Sequence, residues 1–285
     1  MYRFLFILFI SSIFSARGDL VSYEYIGSMK SNIIQEELDA SVGQLNPNAI
    51  FNIKAYSIVY ETIDQFGEYE EASGFISFPD NYHYGYPMYL FGHGTKVRRN
   101  SAPSMGGFND LNKWLGTSGY IYMEPDYLGL GVSQISHPYQ LKDPTASVMV
   151  DMVFATKQLC NMITGLQFND QLYIAGYSEG GYAALATVKE IEENYPDLNI
   201  TMSFPMAGAY DMSGTMVELM LSKERYTNPY YLPYVLLSYM EKYNLGSAED
   251  FFTPYYAEIL PGLFNGEYSG SYINAFLPDI PIYIM

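Results

Sequence analysis

The stretch Gln171-Leu172-Tyr173-Ile174-Ala175-Gly176-Tyr177-Ser178-Glu179-Gly180-Gly181 decides the architecture. Leu172 to Ala175 is a short apolar run of the kind that forms a parallel strand buried on both faces. Tyr182 to Tyr195 carries Ala184, Leu185, Val188, Ile191 and Tyr195 at helical spacing and ends before Pro196, which predicts a helix packed on a sheet. Between the two stands Gly-x-Ser-x-Gly. A serine on a strand-to-helix elbow takes a strained backbone conformation, and only small neighbours such as Gly176 and Gly180 let strand and helix pass that closely. The hydroxyl is then held over the C-terminal edge of the sheet, where open α/β sheets place their ligands. Ser178 is therefore the candidate nucleophile.

Upstream, Asn52 to Asp64 and Glu71 to Phe78 alternate and are rich in β-branched residues, which predicts an antiparallel hairpin at the entry edge of the sheet, turning near Gln65-Phe66-Gly67. Pro87 to Phe91 is an apolar strand running into Gly92-His93-Gly94-Thr95. Tyr120 to Met123 is another, ending in Glu124-Pro125-Asp126-Tyr127-Leu128-Gly129-Leu130-Gly131. Asp143-Pro144 marks a helix start, with the carboxylate as a cap for free backbone N–H groups. The helix it opens carries Met149, Met152, Val153, Thr156, Cys160 and Ile163 on one face. With Leu198 to Phe204 as a further strand, strand and helix alternate, so the crossovers are parallel and the class is α/β. From Ala209 to Asp279 the pattern changes to helical pieces rich in Tyr and Met and broken by prolines, an expected cap insertion. Ile280 to Met285 reads as one more core strand.

Composition narrows the function. At 285 residues and 49% hydrophobic content the chain has ample material for a packed core. Arg3 ahead of the apolar run Phe4 to Phe14, followed by small residues, is the layout of a secretory signal peptide over residues 1–18, with cleavage after Ala16 or Gly18. The run is too short to span a bilayer and no later segment reaches that length, so residues 19–285 are expected to be a soluble, secreted or periplasmic domain without a membrane span. The one cysteine, Cys160, has no internal disulfide partner and reads as buried filler. With 31 acidic against 14 basic residues the net charge is -17, which argues against nucleic acid and anionic membrane surfaces as partners. No Cys/His cluster or His-Glu-x-x-His spacing points to a metal, and no Gly-x-Gly-x-x-Gly points to a dinucleotide, so no cofactor is expected.

A serine hydroxyl is a poor nucleophile alone. Acyl transfer needs a histidine base, a carboxylate to orient it, and N–H donors for the oxyanion. The donors assigned by position are the backbone N–H of Glu179, just after the nucleophile, and that of Thr95, in the loop after the third strand. Each such donor is typically worth about 3 kcal/mol in the transition state.

The motifs Gly92-His93-Gly94-Thr95, Pro125-Asp126-Tyr127-Leu128-Gly129-Leu130-Gly131, His137-Pro138-Tyr139 and Gly176-Tyr177-Ser178-Glu179-Gly180-Gly181 occur in that order. Together they resemble the secretory lipase family of α/β-hydrolases, the lipase A type of yeasts and its bacterial relatives, over roughly residue 50 to the end. The resemblance implies an α/β-hydrolase fold, a mostly parallel sheet flanked by helices. It also implies a helical cap, here about 209–279, before the last core strand present, and a secreted serine carboxylester hydrolase acting on lipids or other carboxylic esters. Tyr226, Tyr230, Tyr231, Tyr234 and Tyr239 are candidates either for an acyl tunnel or for helical packing.

One departure matters. This fold orders its triad serine, acid, histidine, yet His83, His93 and His137 all precede Ser178. The expectation is a C-terminally truncated lipase lacking its acid and histidine. His137 as base and Asp211 as acid are the substitutes the sequence offers, with motif architecture and a turn or cap as their plainer roles; Asp126 reads as loop architecture and Glu190, Glu192 and Glu193 as a solvated helix face. Little turnover is expected without a base. The alternatives are an inactive hydrolase fold kept as a binding protein, and a same-fold acyltransferase or peptidase.

Overall fold

The computed structural model describes residues 16–42, 48–163 and 165–285. Met1 to Ser15, most of the expected signal peptide, lie outside the described residues. Seven strands form one sheet: β1 (Leu20–Met29), β2 (Ile53–Ile63), β3 (Tyr69–Pro79), β4 (Gly85–Gly92), β5 (Ile121–Pro125), β6 (Gln167–Tyr177) and β7 (Ile200–Met206), in the order β1-β2-β3-β5-β4-β6-β7. Strands β5, β4, β6 and β7 run parallel, and β3 meets β5 antiparallel at the Gly74 to Ser77 register. The strand order reverses at β4, which lies between β5 and β6, and because the three run parallel their C-terminal ends share one rim. The helices α1 (Ser31–Val42), α2 (Pro103–Gly106), α3 (Asp110–Thr117), α4 (Lys142–Met162) and α5 (Glu179–Asn194) flank it. Then α6 (Thr215–Met220), α7 (Tyr231–Tyr243), α8 (Ala248–Phe251), α9 (Pro254–Leu263) and α10 (Gly270–Asn274) follow with no strand between them.

The periodicities explain the layers. Val148, Met149, Met152 and Val153 of α4 and Ala183 and Ala184 of α5 pack against Met88, Leu90, Met123 and Ile174 of the central strands. The small alanines let α5 lie close to β6, and Met152 of α4 packs directly over Gly74 of β3, where a Cβ would meet the Met152 Cε at 2.6 Å. On the other face Phe75, Leu115 and Tyr122 close a smaller core under α3. Cys160 is buried in the main core, and burial pushes its thiol up to about 12, consistent with filler.

Three expectations are corrected. The hairpin β2-β3 pairs as predicted, but β1, and not the hairpin, forms the outer edge. Leu20 to Met29 is exposed along most of its length on both faces, so it offers no alternation for a core to select. Helix α4 starts two residues early, with Leu141 and not Asp143 as its N-cap; Asp143 makes no side-chain cap and stands exposed in the first turn, where the helix dipole favours an acid. Finally, Ile280 to Met285 is not a strand: Pro281–Ile284 is a 3-10 helix. Pro281, lacking an N–H, suits the first turn of that helix and disrupts a sheet ladder. Ile284 is instead buried with Met240, Phe252 and Leu260 among the helices, where its carbonyl accepts from Thr253 N at 3.0 Å.

One buried ion pair ties the N-terminal segment to the core. Arg17 Nε donates to Asp151 Oδ2 at 3.2 Å, and Thr62 Oγ1 donates to the same oxygen at 2.7 Å. The Asp151 carboxyl is completely buried, and burial pushes its pKa up while Arg17 pulls it back.

Candidate functional site

Ser178 stands between β6 and α5 with φ 60° and ψ −121°, a sparsely populated conformation that costs on the order of 1–3 kcal/mol. The surroundings hold it there. Its N–H donates to Met206 O of β7 at 3.0 Å, and its carbonyl accepts from Gly181 N at 2.9 Å and Tyr182 N at 3.1 Å, so both backbone groups are committed. The crossing tolerates no side chain: a Cβ on Gly176 would sit 2.0 Å from Gly180 O, and one on Gly180 only 1.8 Å from Gly92 O. The Ser178 hydroxyl makes no hydrogen bond among the described residues and is partly exposed.

The loop after β4 runs beside it. A Cβ on Gly94 would come within 3.9 Å of Ser178 Cβ and 3.7 Å of Tyr177 O, so the segment His93-Gly94-Thr95 lies against the elbow. His93 is buried, with Nδ1 2.8 Å from Gly94 O and Nε2 3.2 Å from the Asp126 carbonyl. Burial drops its pKa to about 4, so the ring is neutral and has one N–H for the two carbonyls. It shapes the loop. Thr95, the residue beyond, turns its hydroxyl to Tyr139 Oη at 3.0 Å.

The two substitutes fall elsewhere. His137 is buried with Nδ1 2.6 Å from Leu128 O and Nε2 2.7 Å from Glu179 Oε1, which occupies both nitrogens and leaves none for Ser178. Asp211 is exposed and caps α6, accepting from Gly214 N at 3.0 Å and Thr215 N at 2.9 Å; the Thr215 N–H and hydroxyl hold its carboxyl below the usual range. His83 is exposed at the far end of β4. Asp126, completely buried, accepts from the hydroxyls of Ser73 and Ser104 and from Ser104 N, and so ties its loop to the hairpin and to α2. No histidine among the described residues reaches Ser178.

In front of the elbow opens a cavity of about 720 Å³. Ser178, Glu179, Tyr139 and Gln140 form its floor; Met212, Met216, Leu219, Met220, Val235 and Leu236 make its walls apolar, and Met285 closes one side. The five tyrosines divide between the two roles considered. Tyr226, Tyr231 and Tyr239 line the cavity, whereas Tyr230 and Tyr234 pack with Val97, Tyr139, Leu263 and Ile273. Sequence reasoning missed the Glu179–His137 and Thr95–Tyr139 contacts. His137-Pro138-Tyr139 was visible as a motif, but nothing local shows that its two side chains reach residues some forty positions away.

No family model matches the chain, and no curated protein matches its sequence. Solved structures do. A protein of Legionella pneumophila described as a hydrolase superposes with a TM-score of 0.84 at 28% identity, over 93% of this chain and 72% of its own. The rice cell wall degrading esterase LipA of Xanthomonas oryzae gives 0.83 at 25% identity, over 93% of this chain and 71% of its own. Candida antarctica lipase A in its closed state shares the fold, with a TM-score of 0.63 at 13% identity over 94% of this chain and 60% of its own. The seven-stranded, mostly parallel sheet flanked by helices and these neighbours show that the chain has the α/β-hydrolase fold, shared with solved esterase and lipase structures.

Proposed function

We propose that this protein is a secreted serine hydrolase that cleaves carboxylic esters with an apolar acyl chain, triglycerides among them, through an acyl-enzyme on Ser178. The observation that carries the proposal is the strained Ser178 standing free on the floor of an apolar cavity, with the Gly94-Thr95 segment alongside. Attack by Ser178 Oγ on the ester carbonyl creates an oxyanion, for which we assign the N–H groups of Glu179 and Thr95 as donors. The acyl chain lies among the methionines and leucines of the cavity. The alcohol leaves, and water releases the acid. No described histidine is free to serve as the base, because the nitrogens of His93 and His137 lie against other partners and His83 is exposed at the far end of β4. As it stands, the 17–285 chain is expected to hydrolyse p-nitrophenyl butyrate only slowly, because removal of a triad base costs several orders of magnitude. Fast hydrolysis that Ser178→Ala abolishes would refute the missing base; slow hydrolysis unchanged by Ser178→Ala would refute the nucleophile.

Secretion supplies a second expected result. Cleavage after Gly18 would delete Arg17 and leave the buried Asp151 carboxylate without its cation, whereas cleavage after Ala16 keeps the pair. The exported protein is therefore expected to begin at Arg17. N-terminal sequencing checks this, and a start at Asp19 would refute it.

A further inference from the structure

The loop between β5 and α4 carries a motif that the proposed chemistry does not use. Its two side chains each reach a different oxyanion donor. His137 Nε2 lies 2.7 Å from Glu179 Oε1, and Tyr139 Oη lies 3.0 Å from Thr95 Oγ1. We propose that His137 and Tyr139 are positioning residues that hold the two halves of the oxyanion hole in register, and that His137 also neutralises the Glu179 carboxylate beside it. The proposal rests on Ser178 as the nucleophile.

The contacts are built to be rigid. His137 and Tyr139 are linked by Tyr139 N donating to His137 O at 2.8 Å, so the two grips are set by one short segment. Behind it the loop doubles back so tightly that a Cβ on Gly129 would be 2.5 Å from His137 N. Tyr139 stacks on Tyr234 at 4.4 Å, which fixes the ring that reaches Thr95. Two donors from different parts of the chain, the β4 loop and the α5 N-terminus, are thus referred to a common brace.

The charge argument follows from the two hydrogen bonds of His137. A carbonyl only accepts, so His137 Nδ1 carries the proton it gives Leu128 O at 2.6 Å. Between Nε2 and Oε1 at 2.7 Å there must then be a second proton, because two bare acceptors repel at that distance. Either as imidazolium with carboxylate or as imidazole with carboxylic acid, the buried pair has no net charge. Glu179 Oε2 is itself buried without a partner, so without His137 its negative charge would face the oxyanion across a low-dielectric site. An acidic residue directly after the nucleophile is compatible with oxyanion stabilisation only when it is neutralised in this way.

The test is the rate at which an alkyl fluorophosphonate modifies Ser178, followed by intact mass. The Oγ–P bond forms as fluoride leaves and the hydroxyl proton passes to solvent, with the phosphoryl oxygen in the oxyanion hole. Tyr139→Phe is expected to slow labelling about tenfold and His137→Gln about a hundredfold, up to the loss seen when an oxyanion donor is removed. Adding Glu179→Gln to His137→Gln removes the unpaired charge and is expected to restore at least tenfold. In parallel, backbone NMR order parameters at Thr95 are expected to fall in Tyr139→Phe, and at Glu179 in His137→Gln, from about 0.85 towards 0.6. Variants that melt earlier but label at the parental rate with unchanged order parameters overturn the proposal, as does failure of Glu179→Gln to rescue. If Ser178 of the parent is never labelled, the nucleophile assignment falls, and the order parameters alone decide the brace.

Discussion

A single methyl group at Gly180 is expected to lower the melting temperature by roughly 8 °C or more, or to prevent folding. The Cβ of Gly180→Ala would fall 1.8 Å from Gly92 O, 2.4 Å from Gly92 C and 2.9 Å from His93 O. All three are backbone atoms, two of β4 and one of the loop that follows it, so no rotamer change relieves the clash. Helix α5 must move away from β4, and it is anchored there by the packing of Ala183 and Ala184 in the main core. Overpacking in cores costs about 1–3 kcal/mol, and a backbone collision of this depth belongs at about 4 kcal/mol. In a chain of this length one kcal/mol corresponds to about 2 °C. Gly106→Ala is the control: a Cβ there meets nothing within 4 Å and its φ is ordinary, so it is expected to be neutral or to stabilise by up to about 1 kcal/mol. Calorimetry of the two variants decides. A Gly180→Ala protein melting within 2 °C of the parent would mean that the elbow is not the rigid crossing described here.

The glycines at that crossing are also why so much of the fold was legible in the sequence. Gly176, Gly180 and Gly92 stand where strand, elbow and loop touch, and Gly176 and Gly92 each close an apolar run that reads as a buried strand. Strands β4, β5 and β6 and helices α4 and α5 follow from such runs. β1 does not, because a strand exposed on both faces has no hydrophobic pattern to read. Ile280 to Met285 misleads for the opposite reason: its apolar side chains answer to the core of the helical segment and not to the sheet. At the site, local spacing offers Ser178, Thr95 and Glu179 as candidates. It does not offer the pairing of Glu179 with His137, since a contact between residues 42 positions apart is a product of the tertiary fold.

Two buried groups with opposed titrations are expected to offset each other's contribution to stability between about pH 4.5 and 6.5, and either single substitution removes the offset. Glu124 lies under α3, hydrogen-bonded by Tyr122 Oη at 2.8 Å, and burial raises its pKa from 4.5 to about 7. The native state thus holds a proton that the unfolded chain gives up, so its contribution is complete below about pH 4.5 and is lost as pH rises through 7. His93 does the reverse. Burial lowers its pKa from 6.5 to about 4, so the unfolded chain takes up a proton that the native state refuses, and stability is complete above about pH 6.5 and lost as pH falls through 4. Each amounts to about 3 kcal/mol over its window. Relative to the parent, Glu124→Gln, which still accepts from Tyr122, should therefore gain stability as pH rises from about 4.5 to 7. Relative to the parent, His93→Gln, which still donates to a loop carbonyl, should lose stability as pH rises from about 4 to 6.5. Urea denaturation of parent and variants across that range gives difference curves in which the remaining titrating groups cancel. Parallel curves for Glu124→Gln and the parent would show that Glu124 is ionised in the native protein at pH 6 and that the pocket around it admits water.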